Sequence, residues 1–496
     1  MAHPHPRIPA DFGRGTRRFL LAGLLLLSVV SLAPLRAAAA PPPSGTTDWA
    51  TQETDHFRFF VQKNDRMTAE AFVQAYGAYA ETAFKEISLF FNTAADQKIS
   101  VYVYADTGSY NTAVGALDRV EIAGIDAIAD PRNLDISIAL PTFSAHSALE
   151  AENQIRHATA HVLAGVASDF NIPRGFDEGI AQYVERVNTP KLARIASVVQ
   201  TANQQVSLPS WVDLNRAQPL DGEDDLIAAS AYSVVAYLIQ HQGLPEFQQF
   251  LAALKTNPGW RDAMKVAYAP ADSNGLYKQW KDKLSVWAAT EWSWNLVEGF
   301  NLDPAKELLA KGNYKGAQDR LQLSEQLFLA LNDQKGRDEV EQLKTECAIG
   351  IQAEELMTDT QQALERHTYD RASSYLAKAK AQYDQLPPEQ RPDELIATYE
   401  ALANAGNEAT AQLDAATGLS HSWGDYPEAR KAARNAGATF ATLGDEEKRT
   451  EAQSVLNGLD TRQRRLVLML GALAVLTLAW LALWLWARGP SELKWE

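Results

Sequence analysis

His157 and His161 stand four residues apart in IRHATAHVLAGVASDF (155–170), a stretch whose apolar spacing predicts a helix. Residues at i and i+4 leave one helix face about a turn apart, so both imidazoles point the same way. That is the spacing two ligands of one tetrahedral zinc require. Asn171, Pro173 and Gly175 then break the chain, and Glu178 opens a second helix. A short connection folds that helix back and turns its first-turn carboxylate toward the His pair. Two His, one Glu and a water would complete the open site of a zinc hydrolase. Gln182 lies one turn beyond Glu178, placed to hold that ligand by a hydrogen bond. The plainer alternative is that His157 and His161 are ordinary helix histidines.

Around this segment, strand patterns come early and helices late. His56–Gln62 (HFRFFVQ) and Lys98–Tyr104 (KISVYVY) are aromatic and β-branched, as strands are, and Leu134–Leu140 (LDISIAL) makes a third. Between the first two, Phe72, Tyr76, Tyr79, Ala83, Ile87 and Phe90 recur at helical spacing over Thr68–Phe91. Helices are expected at about 146–167, 176–188, 227–243, 244–255 and 274–291. The fold class is therefore α+β: a small mixed sheet with helices over 48–295. Trp280 and Trp287, seven apart on one helix face, are expected to pack against the segment that follows.

That segment, 300–460, shows no strand signal and repeats internally. Tyr314, Tyr369 and Tyr426 are each followed by Ala at +3 (Ala317, Ala372, Ala429) and a small residue at +10 (Ser324, Ala379, Ala436). An aromatic at +14 (Phe328, Tyr383, Phe440) and Leu at +17 (Leu331, Leu386, Leu443) complete the pattern. These offsets share one helix face, so each unit buries the stripe against a neighbour. Three unrelated amphipathic helices in one bundle would be the simpler reading.

Both ends carry membrane signals. Arg14, Arg17 and Arg18 precede an apolar run to Leu32, and Ala37–Ala40 lead to the PPPSG linker, so 1–40 reads as a cleaved secretory signal and 41–47 as a linker. Leu466–Ala487 has no charge, and at about 1.5 Å per residue it can cross a ~30 Å hydrocarbon layer; Trp480, Trp484 and Trp486 crowd one end. The expectation is a single-pass membrane protein with its bulk extracytoplasmic and 488–496 as a short cytoplasmic tail. Arg462, Arg464 and Arg465 on the outer side run against the positive-inside bias.

Charge and motifs exclude other classes. The net charge is −16, with +4 in residues 1–40 and +3 in 461–496, which leaves −23 between them. So acidic a body repels phosphate backbones, and no nucleic-acid partner is expected. A single cysteine, Cys347, forbids an intrachain disulfide and a thiolate zinc cluster. The sequence has no Gly-x-Ser-x-Gly elbow, Walker phosphate loop or GxGxxG helix entry.

The segment EGIAQY (178–183) after the His pair, with the approach PRGFDE (173–178), resembles the gluzincin peptidases, in particular the peptidase MA-like group. The likeness covers roughly 48–290 and takes in the early strands, ASAYSVVAYLIQHQG (229–243) and LYKQWKDKL (276–284). Gly175 stands where that family commonly has an aromatic. GNYKGA and GDYPEA resemble the helix-turn entry of tetratricopeptide repeats, although the spacings of 55 and 57 exceed that family's period. The gluzincin resemblance implies zinc held by His157, His161 and Glu178. It also implies a Glu directly after the first His, the general base that takes the proton of the attacking water. This chain has Ala158 there. Such acid–base assistance is worth roughly 10²–10⁴ in rate, and a methyl group cannot supply it. Glu150, Glu152 and Asp177 offer no evident substitute.

Three functions follow as expectations. One is a zinc-binding but catalytically impaired pseudopeptidase that binds an extended peptide or a protein partner, with strand 134–140 as the pairing edge. Another is an active zinc endopeptidase with an unidentified base. The third is a scaffold acting through its helical repeats. Oligomeric state, substrate and partner identity stay open.

Overall fold

The computed structural model describes residues 49–115, 126–216 and 224–487; the expected signal, linker and tail lie outside the described residues. These divide into two compact units, one ending at Ser293 and one beginning at Trp294.

The first unit opens with β1 (Trp49–Glu53), β2 (Phe57–Gln62), α1 (Ala69–Phe91), β3 (Ile99–Tyr104), α2 (Thr107–Val114), β4 (Ala127–Asp130) and β5 (Asp135–Ala139). The sheet order is β1-β2-β3-β5-β4: β2, β3 and β5 run parallel, and β1 and β4 flank them antiparallel. Leu134–Leu140 therefore does not form an edge. Its strand β5 lies between β3 and β4, and among the described residues β4 ends the sheet, because a short strand earlier in sequence pairs outside β5. Phe57, Phe59 and Val61 alternate toward α1, where Phe59 meets Phe72 with ring centroids 5.9 Å apart. The other sheet face carries Phe60 stacked on Tyr102 at 5.0 Å, beside Trp49, Tyr104 and Tyr110.

Helices follow: α3 (Leu140–Phe143), α4 (Ala148–Ser168), α5 (Arg174–Tyr183), α6 (Thr189–Gln204), α7 (Trp211–Leu214), α8 (Asp224–Gln240), α9 (Leu244–Thr256), α10 (Trp260–Ala267) and α11 (Ser273–Val286). Trp280 packs with Trp211 and Tyr277, and Trp287 with Tyr232, all within this unit. Their apolar helix face serves the core of their own unit.

The second unit is helical: α12 (Asp303–Ala310), α13 (Tyr314–Ala330), α14 (Gln334–Glu365), α15 (Tyr369–Tyr383), α16 (Asp393–Leu419), α17 (Tyr426–Leu443) and α18 (Glu446–Ala487). Tyr314, Tyr369 and Tyr426 each open a short helix that packs on the long helix after it. The alanines at +3, Ala317, Ala372 and Ala429, are wholly buried. A Cβ on Gly350 would overlap the Tyr314 ring, and one on Gly406 the Tyr369 ring, so two of the three tyrosines lie flat against a glycine of the long helix. Cys347 is buried in this unit, and burial pushes its thiol up to about 11. Among the described residues, α18 is the one helix long and apolar enough to cross a membrane, and none of its apolar stretch is buried.

Candidate metal centre

α4 begins with a capping box: the Ser147 side chain accepts from Glu150 N–H while Glu150 reaches back to the Ser147 backbone. That fixes the helix frame carrying His157 and His161 and occupies Glu150 at the far end. α4 closes at Asp169 and Phe170, both with positive φ (51° and 61°), which reverses the chain toward α5. α5 starts at Arg174, so Glu178 lies in its second turn rather than its first. Gly179 lets α5 approach α8 closely; a Cβ there would run into the Ala231 carbonyl. Gly175 meets the Leu214 carbonyl in the same way, so an aromatic has no room there.

This packing gathers His157, His161 and Glu178, with one ligand atom from each within 4.8 Å of the others. The two Nε2 atoms face each other at 3.2 Å. Glu178 lies 3.8 Å from each, through Oε1 to His157 and Oε2 to His161. Gln182 Nε2 donates to Glu178 Oε1 at 2.8 Å. Behind the rings, Glu185 Oε1 sits 3.0 Å from His157 Nδ1 and Asp177 Oδ2 sits 2.9 Å from His161 Nδ1.

A carboxylate at each Nδ1 favours the proton there, which leaves both Nε2 lone pairs directed into the same small space. Two lone pairs at that distance repel unless a shared proton or a metal cation lies between them. Tetrahedral zinc with Zn–N bonds of about 2.05 Å separates its ligand nitrogens by about 3.3 Å. The donor set and its spacing thus fit zinc.

Two further groups set Glu185 in place. Its Oε2 pairs with Lys191 Nζ at 2.6 Å. Burial would raise the Glu185 carboxyl, but the Lys191 ammonium and the His157 ring outweigh it and hold it below the usual range. The chain around Glu185 is bolted to α4. Wholly buried Arg156 donates from Nε to Val184 O at 2.6 Å and from Nη1 to Glu86 Oε2 at 2.7 Å. Arg186 bonds Glu86 and Glu152 at 2.9 and 2.8 Å. Glu152 is thereby consumed in ion pairs, and Asp177 faces the rear of His161. Ala158 is wholly buried and brings no acceptor.

Beside the centre opens a cavity of about 780 Å³, lined by His157, Glu178, Glu185, Lys191 and Arg194 and reaching His146 at the start of α4. His146 Nε2 bonds Asp126 at 2.8 Å, and Gln154 accepts from Asp126 N–H at 3.1 Å, so this end of the cavity adjoins the start of edge strand β4.

No curated protein matches the chain. The family comparison stops short of the helical second unit. Residues 80–286, from within α1 to the end of α11, match the model of the Peptidase MA superfamily, which is typically zinc-dependent.

Proposed function

We propose that the first unit is a zinc-holding pseudopeptidase: it binds an extended peptide or a protein partner and does not cut it. The observation that carries this is the pair of Nε2 atoms at 3.2 Å, each ring backed by a carboxylate, next to a wholly buried Ala158. Zinc held by His157, His161 and Glu178 would act as a Lewis acid on a peptide carbonyl. The chain's own residues supply the rest. Gln182 orients the Glu178 carboxylate, and Glu185 and Asp177 hold the imidazoles in register. No side chain at 158 takes up a proton, so a bound peptide meets a polarising centre without a base. β4 ends the sheet beside the cavity, and its outer edge offers main-chain pairing that needs no catalytic Glu.

In this reading Leu466–Ala487 anchors the chain in a membrane. Metal analysis of the purified full chain, beside the double variant His157→Ala, His161→Ala, tests the centre. About one zinc per chain, lost in the variant, is the expected result. A wild-type chain free of zinc after incubation with excess metal would overturn the proposal.

A further inference from the structure

α18 continues without a break from Glu446 to Ala487, so its packed half fixes where its apolar half begins relative to the repeat helices. α17 packs on the first part of α18 in the opposite direction. Its start is tied to residues 460–463: Arg430 Nη2 donates to Asp460 Oδ1 at 2.5 Å and to Gln463 Oε1 at 2.8 Å. The loop before α17 is tied to the same level, because Arg462 Nη1 donates to Ser420 O at 2.6 Å. At the tip of that loop His421, Ser422, Trp423 and Gly424 are all exposed, Trp423 at 69%. Nothing in the repeat packing calls for a tryptophan there. In the two preceding pairs a glycine of the long helix receives the repeat tyrosine (Gly350, Gly406), whereas at the equivalent place in α18 stands Arg462, holding the loop.

We propose that the 420–425 loop, with Trp423 at its tip, is a lipid-contacting surface that sits in the headgroup layer of the bilayer that α18 enters. This rests on the reading of Leu466–Ala487 as a membrane span. Leu466 is four helical steps beyond Arg462, about 6 Å along the axis. The polar layer on each side of the hydrocarbon is roughly 5–7 Å thick. A loop held at the height of Arg462 therefore lies in that layer, where an indole is favoured because its ring is apolar and its N–H finds a polar partner. Arg464 and Arg465 are exposed about 3 and 4.5 Å further along α18, within the same layer, where lipid phosphates would meet them. The arginines that run against the positive-inside bias thus have a role on the outer side: one fastens the loop and two face phosphate. Helix and loop together give the second unit two points of attachment, which fixes its tilt at the surface.

The test uses the full chain in phosphatidylcholine–phosphatidylglycerol nanodiscs, spin-labelled at one introduced cysteine: Trp423→Cys, Ala474→Cys within the span, or Glu447→Cys at the start of α18. Native Cys347 is buried and serves as the unlabelled background. Collisional relaxation by oxygen and by a water-soluble nickel chelate reads depth. The expected order places 474 in hydrocarbon, 447 in water and 423 between them, with nickel accessibility at 423 several-fold below that at 447. If 423 matches 447 while 474 stays in hydrocarbon, the loop proposal is overturned and the span stands. If 474 is itself freely nickel-accessible, the span reading fails and the loop proposal falls with it.

Discussion

Ala158→Glu places a carboxylate directly after His157, where the family resemblance puts the base. On α4, residue 158 lies about 60° around the helix from His161 and 100° from His157, so the new side chain leaves the helix beside both imidazoles. Ala158 is wholly buried, and accommodating the added carboxymethyl group is expected to cost about 1–3 kcal/mol. For a unit of this size that corresponds to a melting point lower by roughly 2–12 °C, which leaves a folded protein to assay. Against that cost, a correctly placed base returns roughly 10²–10⁴ in rate, about 3–5 kcal/mol of barrier. The assay is hydrolysis of a quenched-fluorescent peptide library by zinc-loaded wild type and variant. Wild type is expected to be silent and the variant to cleave, with activity lost on chelation. A folded variant that keeps its zinc and cleaves no faster would refute the idea that the missing Glu silences the site. A wild type that cleaves at a chelator-sensitive rate would refute the pseudopeptidase reading itself.

Glu185→Gln keeps an acceptor for His157 Nδ1 but removes the charge; zinc affinity measured by competition with a chelating dye should fall roughly 10–100-fold, and an unchanged affinity would show that Glu185 does not tune the ring. In α16, Gly406→Ala and Gly418→Ala should act in opposite directions. The first pushes a methyl into the Tyr369 ring and should destabilise by a net 1–2 kcal/mol or so, whereas the second meets nothing within 4 Å and should stabilise by about 0.5–1 kcal/mol. Urea unfolding followed by circular dichroism reads both. Burial, helped by the Asp130 charge, pushes the Asp135 carboxyl up to about 7. An acid raised in this way favours the fold only while protonated, so its contribution is complete below about pH 4 and is lost as pH climbs to about 7. Asp135→Asn should therefore equal wild type at pH 4 and exceed it by about 1–2 kcal/mol at pH 8, allowing for solvent screening; equal stability at both pH values would contradict this.

What the sequence made legible was local. Two His at i, i+4 share a face whatever surrounds them, and the repeat tyrosines announced three helix starts because the same buried stripe recurs. The misreadings came from long-range pairing. β4 is four residues, AIAD, too short to show a period, yet it takes the sheet edge and makes an interior strand of β5. Glu185 looked like part of a helix running to 188, but α5 stops at Tyr183. The segment beyond is held by Arg156, whose partner Glu86 lies 70 residues away, a spacing no window detects. Asp177, which adjoins the ligand Glu178 in sequence, offers no evident substitute for the base. It avoids the Nε2 side, but an imidazole offers a second nitrogen on its opposite edge, and Asp177 meets that one. That residue 158 carries a methyl where the resemblance implies a Glu, by contrast, is read from the sequence alone.

The carboxylates bear on whether this centre is vestigial. Asp177, Glu178 and Glu185 converge on two imidazoles, and Lys191 balances one of the three. Two negative charges remain in a largely buried cluster, a costly arrangement for neutral rings. One proton shared between the rings would make an Nε2–H···Nε2 bond at 3.2 Å but offset only one charge, and a second would set two N–H donors against each other. A divalent cation offsets both charges and accepts both lone pairs. A site freed from metal binding would be under no pressure to keep these groups together, and a methyl in place of a carboxylate at 158 disturbs none of them. Retained metal should therefore support the fold: at a free zinc concentration 100 times Kd, binding adds about 2.7 kcal/mol. Chelation should then lower the first unit's melting transition by several degrees in calorimetry. A transition unmoved by chelator, in protein that contained zinc beforehand, would mean that the ion sits elsewhere.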